Sequence, residues 1–223
     1  MLGRSVEGRP IRLARIGQAG APRRVLVVGA IHGNERAGRA VLRALRRGPS
    51  PRGVELWLID DLNPDGGAAG RRQNARGVDL NRNFPWGWRA QGRPFSTYYS
   101  GRRPLSEPES RLAARLIRRL RPDVTLWYHQ ALALVDLGSG AQPRLVRRYA
   151  RLSGLPARTI GGLPGVATRW QNRVVGGDAF VVELPSGRLG ATAARRHAAA
   201  VRAVAAPPRR LAYPREPGTA RSR

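Results

Sequence analysis

The chain carries only three histidines, and two of them stand where an apolar run gives out. His32 lies in Gly29-Ala30-Ile31-His32-Gly33-Asn34-Glu35, a glycine-flanked bend that follows Val25-Leu26-Val27-Val28. An imidazole and a carboxylate three positions apart on a bend can reach one ion together, whereas on a rigid strand they would face opposite sides. Both are usual protein ligands of catalytic zinc, which takes three such ligands and keeps one position for water. The competing explanation is that Glu35 favours a helix N-terminus and His32 is a satisfied loop residue. That stretch alone does not choose between them. His129 follows the apolar Val124–Tyr128 and is either a core histidine bonded to backbone or a third ligand. Standing at a strand end equivalent to that of His32 and Glu35, it is assigned as the ligand. His197, among alanines on an expected helix, is assigned to the surface or to helix packing.

Two further groups carry chemistry. Glu183 follows Phe180-Val181-Val182, and a carboxylate in so apolar a strand costs several kcal/mol unless it is paired or used. Desolvation raises its pKa and a nearby cation lowers it, which suits a group that takes and returns a proton near neutral pH. An ion pair with one of the many arginines is the competing reading. The second group is Arg71-Arg72-Gln73-Asn74-Ala75-Arg76-Gly77-Val78-Asp79-Leu80-Asn81-Arg82-Asn83-Phe84-Pro85. Planar guanidinium binds carboxylate at two points and also polarises a carbonyl oxygen, so adjacent Asn81 and Arg82 suit a substrate's terminal carboxylate.

These residues need elements to position them. Residues 1–23 read as a short hairpin turning at Gly8-Arg9-Pro10. Arg24–Ala30 is a first central strand, followed by a helical pattern from Arg36 to Arg47 that Gly48-Pro49 stops. Val54–Ile59 is a second strand, running into the turn-rich Asp60-Asp61-Leu62-Asn63-Pro64-Asp65-Gly66. Residues 67–104 show no period, and a loop that long in a compact domain is usually functional. Ser106 and Glu109 form a capping box for the next helix, with Leu112, Leu116 and Leu120 on its buried side. Strand Val124–Tyr128, a helix over Leu145–Leu152, strand Ala179–Leu184 and helix Ala191–Ala205 complete the order. Alternating strands and helices imply an α/β fold: a single domain over residues 1–206 with a mixed, mostly parallel sheet covered by helices on both faces. Ligands of such sheets bind beyond the carboxyl ends of the strands, where His32, Asp65, His129 and Glu183 all fall. Residues 207–223, rich in Pro and Arg, are expected to form a mobile tail.

Composition sets the outer bounds. The 223 residues are enough for one sizeable core, and no apolar run approaches the roughly 18 residues of a membrane span. With no cysteine, thiolate ligands and disulfides are excluded. The N-terminus lacks the apolar core of a signal peptide, so a cytoplasmic location is expected. The formal charge of +27 raises the question of a polyanion partner. Every basic residue is Arg, however, and the arginines are dispersed without interleaved aromatics. That pattern indicates a coding bias, and nucleic acid is not expected as a partner.

Taken in order, His32-Gly33-Asn34-Glu35, Asn63-Pro64-Asp65-Gly66, Arg72-Gln73-Asn74 running into Gly77–Pro85, His129 and Glu183 resemble the zinc carboxypeptidase family. The likeness extends to Gly3–Ile11, the Ser106 capping box and Phe180–Pro185, and within the family it is strongest to the short bacterial murein peptide amidases. The resemblance implies a hydrolase holding one zinc ion on His32, Glu35 and His129. It implies Arg72 as the group that polarises the scissile carbonyl, Asn81 and Arg82 as the carboxylate anchor, and Glu183 as general base and then acid. Asp79 would accept a hydrogen bond from His32 and fix its tautomer. The implied substrate is a peptide or murein peptide with a free carboxylate, cut at a C-terminal peptide or γ-D-glutamyl–diaminopimelate bond. The mobile tyrosine of digestive carboxypeptidases has no good counterpart. Tyr149 is the only tyrosine between His129 and Glu183, and Trp170-Gln171-Asn172 is expected to line that wall instead. No residue is assigned to diaminopimelate recognition beyond Arg169 as a candidate. The rival readings are a zinc deacylase of N-acyl amino acids, of the succinylglutamate desuccinylase or aspartoacylase type, and a non-catalytic polyanion-binding relative.

Overall fold

The computed structural model describes residues 1–49 and 51–206; the expected tail at 207–223 lies outside the described residues. The main sheet is built from β3 (Leu13–Gly17), β4 (Arg23–Val28), β5 (Val54–Ile59), β6 (Val124–Asp136), β7 (Ala157–Arg158) and β8 (Asp178–Pro185). Its order is β3-β5-β4-β6-β7, with β8 also paired to β6. β3 runs antiparallel to β5, while β4 is parallel to both β5 and β6. The mixed, mostly parallel sheet is the one expected.

The middles of its central strands β4, β5, β6 and β8 are mostly apolar because both faces are covered. Successive side chains alternate between two cores. Val25 and Val27, Leu56 and Leu58, Leu126 and Tyr128, and Phe180 and Val182 join one core, which α1 (Gly38–Arg47), α4 (Pro143–Ser153) and α6 (Ala191–Ala205) close. Leu26, Val28, Ile59 and Trp127 join the other, closed by α3 (Pro108–Leu120) and α5 (Ala167–Trp170). Among the described residues no helix is long and apolar enough to cross a membrane.

Three local expectations need correction. The hairpin expected over residues 1–23 is smaller: β1 (Gly3–Arg4) pairs with β2 (Pro10–Ile11), and the next stretch is spent on β3, an antiparallel edge of the main sheet. Ser106 does not cap α3; Glu107 stands at the cap with Pro108 opening the helix. The Glu109 carboxylate instead accepts from the Val6 amide and from Asn74 Nδ2, tying the N-terminal segment and the long loop to α3. β6 does not stop at His129. It continues to Asp136 through the apolar Ala131–Val135, with register shifts against β8 from Ala131 onward.

The long stretch from 67 to 104 is irregular yet tied down by buried amides. Asn74 Oδ1 accepts from the Arg76 and Val78 amides, and its Nδ2 donates to Glu107 and Glu109. Asn83 Nδ2 donates to the carbonyls of Ser100 and Arg103, and its Oδ1 accepts from the Glu107 amide and the Ser110 hydroxyl. Side-chain amides thus do here what a ladder does in a strand.

His197 is one of the two assigned alternatives, and the buried one. Its Nδ1 lies 2.7 Å from Tyr149 Oη, which lies 2.7 Å from Tyr128 Oη. Burial, with Arg196 adding to it, pushes the His197 pKa down to about 4. An unfolded histidine titrates near 6.5, so between about 6.5 and 4 the unfolded chain binds a proton that the folded one does not. The stabilisation is therefore complete above pH 6.5 and is lost as pH falls toward 4. Denaturant unfolding of the parent at pH 7 and pH 5 is expected to show a loss about 1–2 kcal/mol larger than that of His197→Gln over the same interval. Equal losses in the two proteins would exclude this origin.

Candidate active site

The bend after β4 brings the first two site residues together. Gly33 makes it possible: a Cβ there would stand 2.0 Å from Gly66 C, in the backbone of α2 (Pro64–Ala68), so only glycine fits. With the chain so folded, His32 Nδ1 and Glu35 Oε2 are 2.9 Å apart. β6, far along the chain but paired directly with β4, delivers His129, whose Nδ1 is 2.9 Å from Glu35 Oε2 and 3.2 Å from His32 Nδ1. Glu35 does not cap α1, which has no side-chain cap. That disposes of the helix-terminus explanation.

Three buried ligand-type atoms facing one another at these distances match what one cation requires. Zinc–ligand bonds of roughly 2.0–2.1 Å in a tetrahedron place the ligand atoms about 3.3 Å apart. The tautomer agrees: His32 Nε2 donates to Asp79 Oδ1 at 2.9 Å, which leaves the Nδ1 lone pair facing Glu35 and His129. The electrostatics agree as well. Burial raises the carboxyl pKa values of Glu35 and Asp79, but the neighbouring imidazoles, with Arg72 also acting on Asp79, outweigh it and hold both well below the usual carboxylate range. Burial lowers the His32 pKa, and the charges of Asp79 and Glu35 more than reverse that. The surroundings favour positive charge at this spot. His32, Glu35 and His129 form the one such group among the described residues.

Asp79 organises the next layer. Besides His32, its Oδ1 accepts from the Asn81 amide at 2.9 Å, which starts the single 3-10 turn Leu80–Arg82. Its Oδ2 accepts from Arg72 Nε at 3.0 Å and lies 3.0 Å from Arg72 Nη2. Arg72 Nη1 donates to Glu35 Oε1 at 2.8 Å. These bonds occupy three of the five guanidinium N–H groups, and two remain for a ligand. Asn81 Oδ1 accepts from the Ala167 amide, so its two Nδ2 donors are the free ones. Arg82 donates to the Asn81 carbonyl, and its guanidinium lies 4.9 Å from the centre of the Tyr98 ring.

Glu183 stands opposite His129 in the parallel register of β6 and β8. Burial pushes its carboxyl above the usual range, His129 opposes that shift and Glu35 adds to it. Among the described residues its Oε2 is buried without a hydrogen-bond partner, and none of their arginines forms the ion pair considered from the sequence.

His32, Glu35, Arg72, Asn81, Arg82, His129 and Glu183 all line one cavity of about 270 Å³, joined there by Tyr98, Asp136, Thr168 and Arg169. Asp79 sits just behind, fully buried. Other expectations are overturned. Asp65 is no part of the site: its carboxylate is buried under the Ser5 hydroxyl, the Glu7 amide and Arg9. Tyr149 is locked in the Tyr128–His197 chain. Trp170 and Gln171 are fully buried and Asn172 bonds backbone of Ser139 and Ala179, so this segment does not line the wall; Thr168 and Arg169, just before it, do. Tyr98 was missed because it lies in the aperiodic loop. The Tyr98-Tyr99 pair among so many arginines was the available signal.

Against this geometry the comparisons are specific. The sequence profile of the zinc carboxypeptidase family matches residues 1–47 and 51–151. The chain belongs to the zinc carboxypeptidase family. The family match takes in His32, Glu35 and His129, whereas Glu183 lies beyond its end. Murein peptide amidase A of Escherichia coli K12 is 32% identical over 123 residues, 50% of this chain and 50% of its own length. That of Vibrio campbellii is 32% identical over 145 residues, 60% and 58%. The chain thus spans a little over half the length of these relatives. Among solved structures, murein-tripeptide amidase MpaA from Escherichia coli O157 shares 26% identity with a TM-score of 0.76, over 94% of this chain and 92% of that one. Carboxypeptidase A from Helicoverpa armigera has the same fold at 21% identity, with a TM-score of 0.78 over 92% and 67%.

Asp79→Ala is expected to weaken zinc about 10–100-fold while leaving a folded protein, because it frees the His32 ring and Arg72 together. Chelator competition checks this. Unchanged affinity would remove Asp79 from the site.

Proposed function

We propose that this chain is a zinc-dependent peptidase or amidase that hydrolyses a bond adjoining a free carboxylate, with the γ-D-glutamyl–diaminopimelate bond of murein peptides as its substrate. The observation that carries the reading is the convergence of three ligand-type side chains, an unpaired raised-pKa carboxylate and a carboxylate-binding Asn-Arg pair on one cavity. The murein assignment is supported by the relatives named above.

His32, Glu35 and His129 would hold the metal. When bound, zinc polarises a carbonyl and acidifies water. Asn81 Nδ2 and the Arg82 guanidinium take the terminal carboxylate, and the Tyr98 ring, over which that guanidinium lies, holds it in place. The carboxylate so held sets the scissile carbonyl beside Arg72, whose two spare N–H groups donate to the oxygen as it gains charge. Glu183 removes the proton from the attacking water. Now neutral, and with burial favouring that form, it returns the proton to the departing amine nitrogen. Arg72 stays fixed throughout by Asp79 and Glu35, so it is organised before the charge develops.

Glu183→Gln is expected to keep stoichiometric zinc and lose at least about 10²-fold in kcat on L-Ala-γ-D-Glu-meso-diaminopimelate; turnover at the parent rate would overturn its role. Zinc with release of diaminopimelate supports both the site and the substrate, whereas cleavage confined to C-terminal peptides or N-acyl amino acids keeps the site and discards the murein assignment. For Tyr98→Ala we expect KM to rise about 2–5-fold with kcat nearly constant, since about 0.5–1 kcal/mol of ring–guanidinium contact is lost. A fall in kcat alone would contradict this.

A further inference from the structure

The cavity does not end at the metal ligands. Gln130, next to His129, lines both the site and a second depression of about 360 Å³, whose wall includes Asn34, next to Glu35. Ala40, Arg43 and Leu189 line that depression and also a third of about 470 Å³ between α1 and α6. Shared lining residues thus set the three depressions side by side, and the second and third follow α1 as a trough away from the site. Its floor is made by alanines and Leu189, and its rim by exposed Arg36, Arg43, Arg47, Arg188 and Arg195.

Arginine is common everywhere on this chain, so cations alone decide nothing. The missing acids do. Among the described residues no Asp or Glu lines either depression of the trough. The other basic depressions hold their own acids, Asp60 and Asp61 in one and Glu107 in another. On α1 itself, Arg39 and Arg46 pair with Asp61 and Asp60, while Arg43 and Arg47 have no carboxylate partner among the described residues. Crowded like charges with no internal counter-ion attract an anion from outside.

The trough also has a direction. Asn81, Arg82, Thr168 and Arg169 line the site but not the trough. A substrate whose terminal carboxylate rests on Asn81 and Arg82 has its remainder on the far side of the ligand cluster, where the trough opens. From Ala40 to Arg47 the helix advances about 10 Å, enough for about three extended residues.

We infer that the trough between α1 and α6 binds the part of the substrate upstream of the scissile bond and selects carboxylate-bearing, acidic peptide segments. This inference rests on the peptidase reading of the site. The test uses peptides with one C-terminal pair preceded by four Glu or by four Gln. The zinc-loaded parent is expected to favour the Glu peptide by about tenfold in kcat/KM at low salt, mainly through KM, with the ratio shrinking as salt rises. In Arg43→Ser/Arg188→Ser the ratio should fall toward one. In Arg115→Ser/Arg119→Ser, which removes the same charge from exposed positions on α3, it should persist. A parent ratio near one, or an equal drop in both double variants, overturns the inference. Should the parent cleave neither peptide, turnover of L-Ala-γ-D-Glu-meso-diaminopimelate decides the peptidase or amidase reading separately, and binding of a labelled Glu₄ peptide still decides the trough: tighter binding than Gln₄, lost only in the Arg43/Arg188 variant, sustains it, and equal binding ends it.

Discussion

One buried carboxylate holds the site together. Asp79 is fully enclosed, and an isolated charge there would cost many kcal/mol. It survives because His32, the Asn81 amide and Arg72 all donate to it. The same bonds set the tautomer of His32, begin the turn that presents Asn81 and Arg82, and hold Arg72 against Glu35. In the proposed function, metal binding, carboxylate anchoring and oxyanion stabilisation would thus be coupled through a single side chain.

The sheet supplies what Asp79 cannot. Parallel pairing of β4, β6 and β8 brings His32, His129 and Glu183 to the same edge, and the register sets Glu183 directly across from His129. The apolar residues beneath make that edge rigid and strip water from Glu183. Its raised pKa is therefore a consequence of the same core packing that makes the strand. The amide-rich loop does the corresponding work on the other wall, where Asn74 and Asn83 replace regular secondary structure with side-chain hydrogen bonds.

Much of this is readable from residue order. Strands buried on both faces announce themselves as continuous apolar runs, and His32, His129 and Glu183 stand where those runs change character. What escaped are features that depend on partners far along the chain. Asp65 stands beyond a strand end like the ligands do, yet Ser5 and Arg9, some 60 residues earlier, claim it. Glu109 has capping-box spacing, but Asn74 and Val6 offer its carboxylate better donors than the helix end does. The continuation of β6 past His129 needed knowledge of β7 and β8, which pair with it. Tyr98 is placed by a loop without period, whose course is fixed by amides that pattern analysis treats as generic turn residues.

Charge was the most conspicuous feature of the sequence and the least informative in bulk. With 41 basic and 14 acidic residues, most arginines cannot find an internal partner, so an unpaired arginine says little. The acids are the scarce resource, and their distribution carries the meaning. Glu35, Asp79 and Glu183 are concentrated in the site, where two of them are held ionised by imidazole and guanidinium and the third is kept poised by desolvation. Asp60 and Asp61 neutralise one side of α1. Among the described residues the side facing α6 receives none. In a chain this basic the local field is set by where carboxylates stand and where they are missing, and the boundary between those regions runs past His32, Glu35 and His129.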